Sequence, residues 1–163
     1  MPGFAIYDSP FGPIRMDYEG GVLLRLRTID PTEETGERTE LTEAVFCQLQ
    51  EYFAGTRRKF EIPYELRGTE FQKKVWAALE EIPYGQTRSY GDVARAVGNP
   101  KAVRAVGLAN GKNPLWIVVP CHRVVGSGGK LTGYAGGLEM KRALLELEKS
   151  GFLTGTEKAH PAG

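Results

Sequence analysis

Asn113-Pro114-Leu115-Trp116-Ile117-Val118-Val119-Pro120-Cys121-His122-Arg123-Val124-Val125 is the stretch around which the rest of the chain arranges itself. Its apolar, β-branched centre predicts a buried strand. Pro120 cannot donate to a ladder, so the strand is expected to stop there. A cysteine, a histidine and an arginine follow at once. A thiol at the end of a buried strand, beside basic groups, is where a depressed pKa and a reactive thiolate arise. Free cysteine is also among the most buried residue types, so a structural cysteine is the competing reading. The Pro-Cys-His-Arg run favours a nucleophile.

Working back from that stretch, two short helices come in quick succession. Ser89 caps a helix over Tyr90–Val97, with Asp92 as its partner three residues on. Gly98 breaks the chain, Asn99 is a good N-cap and Pro100 suits the first helical position, so a second helix is expected over Lys101–Asn110. The pair forms a helix-turn-helix pattern. The second helix is small and apolar (Ala102, Val103, Ala105, Val106, Gly107, Leu108, Ala109), with Arg104 its one long polar residue in the middle. Reading base edges in the major groove takes several such residues. Small residues instead let the backbone approach a groove closely, so the expected mode is contact with phosphates and shape, with little sequence preference. Before this pair, Thr69-Glu70-Phe71-Gln72 has the form of a capping box and opens a helix with Phe71, Val75 and Leu79 on one face, ended by Pro83-Tyr84-Gly85.

Working forward, Gly126–Lys130 is a hairpin-like turn. Thr132-Gly133-Tyr134-Ala135-Gly136-Gly137 is a glycine-rich loop without the Gly-Lys-Ser/Thr ending of a phosphate loop. Its glycines are expected to let backbone approach a flat ligand closely. A last helix over Leu138–Ser150, with Leu138 and Leu145 inward, ends at Gly151, and residues 154–163 read as a loose tail.

The N-terminal third predicts strands at Phe4–Tyr7, Pro13–Tyr18 and Val22–Ile29, joined by glycine-containing hairpin turns. An acidic loop follows, then a helix over Thr39–Ala54 with Leu41, Val45, Leu49 and Tyr52 on one face and Gly55 after its end. Cys47 falls on the polar side, so it is given no catalytic role. Arg57–Pro63 is expected to add one more strand.

The composition, 41% hydrophobic and 25% charged over 163 residues, is that of an ordinary globular protein. Neither a membrane-spanning run nor a signal pattern is evident. Two cysteines make no disulfide framework, which suggests a reducing compartment, and two distant histidines argue against a metal site. The net charge of +1 hides an asymmetry. Residues 1–66 carry 7 Lys/Arg and 12 Asp/Glu, a balance of −5, whereas 67–163 carry 14 and 8, a balance of +6. Over 82–130, Arg88, Arg95, Lys101, Arg104, Lys112, Arg123 and Lys130 face Asp92 alone, a patch suited to a polyanion.

With these residues assembled, the C-terminal part resembles the O6-alkylguanine-DNA alkyltransferases. The matching elements are Gly68-Thr69-Glu70-Phe71-Gln72, Ser89-Tyr90-Gly91-Asp92-Val93-Ala94, Val103-Arg104-Ala105-Val106-Gly107, Asn113-Pro114, Pro120-Cys121-His122-Arg123-Val124 and Gly133-Tyr134-Ala135-Gly136-Gly137. Lys141 and Leu144-Leu145-Glu146-Leu147-Glu148 complete the match. The resemblance implies an α+β chain in three parts. Residues 1–63 would form a small antiparallel sheet with a helix (ribonuclease H-like), 64–153 a mostly helical winged helix-turn-helix domain, and 154–163 a flexible tail.

The resemblance also implies a chemistry. An alkylated guanine is flipped from the duplex into a pocket, because its reactive carbon is inaccessible in the stack. Cys121 would attack that carbon as the thiolate. His122, through a water, would take the thiol proton, and Glu148 would orient the histidine. Tyr90 would donate to the base's ring nitrogen as guanine leaves. Backbone groups of Ala135, Cys121 and Val124 would frame the base, with Tyr134 packed against it. Arg104 would replace the flipped nucleotide in the stack, and Ala105 and Gly107 belong to the small-residue face lying in the minor groove. Asn113 and Lys141 would brace the nucleophile or serve as structural hydrogen-bonders. No cofactor or metal is required, the expected state is a monomer, and the expected location is cytoplasmic and nucleoid-associated, or nuclear in a eukaryote. An alkyl thioether has no easy leaving group, so each molecule would act once, on O6-alkylguanine and in some cases O4-methylthymine.

Two positions depart from many relatives. Trp116 stands beside the pocket where they carry a smaller residue or proline; it either narrows the alkyl channel or packs beneath the loop. Ala135 replaces a serine, removing a side-chain contact and leaving the backbone one. Three other functions compete: a lesion-binding module, argued against by Cys121; a winged-helix regulator, argued against by the arginine-poor helix and the Pro-Cys-His-Arg run; and a cysteine hydrolase.

Overall fold

A computed structural model of the chain describes residues 2–153, so the tail expected over 154–163 lies outside the described residues. Strands β1 (Pro2–Tyr7), β2 (Ile14–Glu19) and β3 (Val22–Thr28) form an antiparallel sheet in the order β1-β2-β3, with a register shift at Asp17/Tyr18. Alternation assigns the two faces. Ala5, Met16 and Leu26 lie in one row across the sheet, and Tyr7 pairs with Ile14. All five are buried against helix α1 (Glu40–Phe53), which supplies Val45, Leu49 and Tyr52. On the open face Arg15 and Arg27 both pair with Asp17. Helix α1 opens with a reciprocal box between Thr39 and Thr42, and Gly55 follows its end at a φ of +82°. Cys47 is exposed, as its place on the helix predicts.

The second half is helical. Helix α2 (Glu70–Glu80) is capped by Thr69 and Gln72 as expected, and buries Val75, Trp76 and Leu79. Strand β4 (Arg88–Ser89) leads into α3 (Tyr90–Ala96), capped by Ser89 and Asp92. Helix α4 (Val103–Gly111) packs on α2 and α3, and the Trp76 indole N–H donates to the Ala109 carbonyl at 2.9 Å. Strand β5 (Val124–Val125) pairs in parallel with β4, and α5 (Leu138–Ser150) closes the fold, ending at a left-handed Gly151. One hydrophobic core runs through both halves, from Met16 and Leu26 to Leu79, Leu115 and Leu144. No helix among the described residues is long and apolar enough to cross a membrane.

Four local expectations need correction. The run before Cys121 is buried but is not a strand. Leu26 of β3 takes its N–H to the Pro114 carbonyl and receives one from Trp116, a single bridge, after which the chain folds back on itself. The Asn113 side chain donates to the Leu115 and Val119 carbonyls and accepts from the Leu115 N–H. Turn bonds from Val118 to Trp116 and from Val119 to Leu115 complete the bend, with Ile117 at a φ of +72°. A buried apolar run satisfied by its own turns carries the same hydrophobic signal as a strand.

Arg57–Pro63 likewise forms no strand; it ends against the edge of β3, where Leu23 donates to Pro63. Helix α4 begins at Val103, not Lys101, because Ala102 donates to the Asn99 carbonyl and makes a turn with Pro100 inside it. The inward face of α5 is Met140, Lys141, Ala143, Leu144, Leu147 and Glu148. Leu138, in its first turn, is 46% exposed, and Leu145 is half-buried.

Candidate active site

Pro120 ends the buried bend, and residues Cys121–Arg123 form one turn of 3-10 helix. In that turn successive side chains do not alternate to opposite faces as they do on a strand. Cys121 lines a cavity of about 260 Å³ together with Tyr90, Gly107, Asn110, Trp116, Tyr134 and the backbone-rich positions Gly111, Gly133 and Ala135. The cavity therefore lies between α4 and the glycine-rich loop. Arg104 and Ala105 are exposed on α4, outside the cavity, and Val124 is buried in β5. Its N–H donates to the Cys121 carbonyl.

Burial pushes the Cys121 thiol up to about 11; the Asn113 amide, the Lys141 charge and the Tyr134 hydroxyl pull the other way. The resting thiol is thus protonated, with groups in place that favour its anion. Lys141 is a buried ammonium whose Nζ donates to the Thr132 carbonyl at 3.1 Å; burial lowers its pKa and Cys121 opposes that. The Tyr134 hydroxyl is buried beside the thiol without a well-formed hydrogen bond, and burial raises its pKa. The Tyr90 hydroxyl bonds the Thr132 hydroxyl at 2.9 Å.

A buried ionic cluster starts from the two residues that follow the cysteine in the same turn. His122 Nε2 donates to Glu148 Oε2 at 2.7 Å, Arg123 Nε to Oε1 at 2.8 Å and Arg123 Nη2 to Oε2 at 3.0 Å. Burial alone would raise the Glu148 carboxyl, but the bonds and charges of His122 and Arg123 outweigh it and hold it well below the carboxylate range. Burial also lowers the His122 pKa, against the pull of Glu148, so the imidazole is neutral. Because a carboxylate only accepts, Nε2 must carry the hydrogen, and Nδ1 is left as a lone pair. That Nδ1 is buried and unpartnered.

For Trp116 the structure gives position only. The residue lines the cavity, and its ring packs against Tyr134 with centroids 5.7 Å apart. A Cβ on Gly136 would come within 3.0 Å of the Trp116 ring, 2.9 Å of Tyr134 and 2.6 Å of Met140 Sδ. The close approach that this glycine permits is therefore to the protein's own side chains, where a flat ligand was expected.

Three residues of the centre have no role in the sequence reading: Asn110, Thr132 and Tyr52. Arg123, a basic neighbour of the thiol in the Pro-Cys-His-Arg run and a member of the basic patch, is buried and paired with Glu148. Asn110 is buried on α4 and its amide donates to the Cys121 carbonyl at 3.4 Å, leaving Oδ1 unpartnered. A polar residue on the apolar face of a short helix was the available signal. Thr132 was read as loop, and Tyr52 as plain core.

The fold and site define a class: a helix-turn-helix unit behind a small sheet, with a buried thiol facing a cavity under the second helix. The chain belongs to the 6-O-methylguanine DNA methyltransferase family, whose DNA binding domain matches residues 70–150 and whose ribonuclease-like domain matches 4–66. It is 54% identical over 156 residues to the methylated-DNA–protein-cysteine methyltransferase of Mycobacterium tuberculosis, covering 92% of this chain and 94% of that one. The protein of the same name in Methanosarcina acetivorans is 50% identical over 153 residues, covering 90% and 98%. The crystal structure of M. tuberculosis OGT in complex with DNA superposes with a TM-score of 0.84 at 50% identity, covering 93% of this chain and 96% of that one.

Proposed function

We propose that the protein repairs alkylated DNA by direct reversal, moving the alkyl group from O6 of guanine, or O4 of methylthymine, onto Cys121. The observation that carries this reading is the placement of one buried thiol against a cavity whose other wall is the small-residue face of α4. Arg104, exposed on that helix, fills the stack while the damaged base occupies the cavity. Docking in the minor groove as a monomer, with little sequence preference, suits a helix that offers Val103, Ala105 and Leu108 where a base reader would carry polar side chains. The proposed setting is the cytoplasm and nucleoid.

The reaction balances without a cofactor. The Cys121 proton passes to His122 Nδ1 through a water, and Sγ attacks the alkyl carbon. The S–C bond forms, the C–O bond breaks, and its electron pair stays on the base. Tyr90 leaves Thr132 and donates to the base's ring nitrogen, offsetting that charge. Lys141 and Asn113 favour the thiolate while it exists. Glu148 keeps His122 in the tautomer with Nδ1 free. The His122 imidazolium returns its proton through water to the guanine anion, so the products are neutral guanine and a thioether, which has no route back to the thiol.

A stoichiometry experiment tests the reading. With O6-methylguanine duplex in excess, methyl transfer should plateau at about one per protein molecule. Continued turnover would contradict it and point to a hydrolytic cysteine.

A further inference from the structure

Helix α1 sends one polar atom into the ionic cluster of the other half. The Tyr52 side chain is fully buried, and its hydroxyl donates to Glu148 Oε2 at 2.6 Å while lying 3.4 Å from His122 Nε2. Oε2 therefore takes Tyr52, His122 and one Arg123 nitrogen, while Oε1 takes the other Arg123 nitrogen and the Gly85 N–H at 3.2 Å. Five donors thus meet a carboxylate with about four lone-pair sites, three of them on Oε2, so the donors at that oxygen share it. The ring itself packs among Phe53, Phe60 and Tyr84, a surrounding that phenylalanine would satisfy equally well. Only the hydroxyl needs the cluster.

We propose that Tyr52 is a positioning residue for alkyl transfer, dividing Glu148 Oε2 with His122 and so keeping the imidazole neutral with Nδ1 free as the base. The inference rests on the reading of Cys121 as alkyl acceptor. A hydrogen bond from the phenol draws charge out of Oε2, and the carboxylate then stabilises an imidazolium less. The other groups facing the pair leave that balance to Tyr52 and Glu148. Arg123 and Lys141 disfavour a charged His122, as does burial. Tyr84, beneath the Arg58 and Arg123 guanidiniums, and Tyr134, beside Cys121, are phenols with raised pKa values and stay neutral across the range where His122 titrates.

The test is the single-turnover transfer rate as a function of pH, with the His122 imidazole titrated by NMR in the absence of DNA. In Tyr52→Phe, Oε2 serves His122 more fully, so the acid limb and the imidazole pKa should both rise by about half a unit, roughly a threefold loss of rate at the acid end. Replacing Tyr52 with 3-fluorotyrosine, nearly the same shape but a stronger donor, should move both the other way, and it decides the question if the phenylalanine variant does not fold. A purely structural role would lower the rate equally at every pH with the imidazole pKa unmoved, and that result overturns the proposal. If the wild-type protein passes no alkyl group to Cys121, the functional reading fails instead, while the imidazole titration still reports on Tyr52.

Discussion

The Cys121 thiol ties stability to alkaline pH in a way that can be worked out from its surroundings. Unfolded, it titrates near 9; folded, burial holds it up to about 11. As pH rises through that window the unfolded chain releases its proton first, so stability that is full below 9 is lost between 9 and 11. Two pKa units correspond to at most about 3 kcal/mol. Denaturant unfolding at pH 8, 9 and 10 should show a decline in the wild type that Cys121→Ser largely lacks; parallel declines would contradict it. The buried phenols of Tyr52 and Tyr134 add a loss of the same sign only above about 10. Trp116 is open to a separate test. Its ring walls the cavity, so Trp116→Ala should raise the rate on benzyl adducts relative to methyl ones, and an unchanged ratio would assign the ring to packing alone.

Among the elements, those whose ends are written in local chemistry were legible. The boxes Thr69–Gln72 and Ser89–Asp92, and the glycines at 55 and 151, stand where the spacing puts them. The bend before Cys121 was not legible, because its backbone is satisfied by the Asn113 side chain and by turns inside a buried run. Hydrophobic alternation cannot distinguish that from a strand paired with a neighbour. The start of α4 was misplaced for a similar reason: Asn99 supplies a carbonyl to a turn where a side chain to a cap was expected. Within α4, Gly107 presents a trade-off. A Cβ there would sit 3.9 Å from the Tyr90 ring, an ordinary contact, yet it would narrow the cavity that both residues line. Gly107→Ala should therefore stabilise the fold by up to about 1 kcal/mol through helix propensity while slowing alkyl transfer several-fold. Thermal unfolding and transfer kinetics on one preparation check it, and unimpaired transfer would mean that the base does not come up to this helix.

Across the whole molecule, the contacts that join the two halves were the hardest to foresee. Tyr52 and Glu148 are 96 residues apart, and only the folded chain brings the phenol of α1 to the carboxylate of α5. Arg123 belongs in sequence both to the thiol's run and to the basic patch; its burial is set by Glu148 and by the Ile82 carbonyl, to which its Nη1 donates at 2.7 Å. The sheet's β3 edge is closed by Pro63 on one side of the chain's midpoint and by Pro114 and Trp116 on the other, so the N-terminal sheet supports the segment that leads to Cys121. The positive balance of residues 67–163 nonetheless survives the loss of Arg123 to the interior, with Lys101, Arg104, Lys112 and Lys130 exposed. The most direct measurement of the central claim is peptide mass mapping after incubation of the full chain with a duplex containing O6-methylguanine. The account predicts one added methyl, found on the peptide bearing Cys121 and absent in Cys121→Ser. A methyl on another residue, or guanine restored in full by the serine variant, would contradict it.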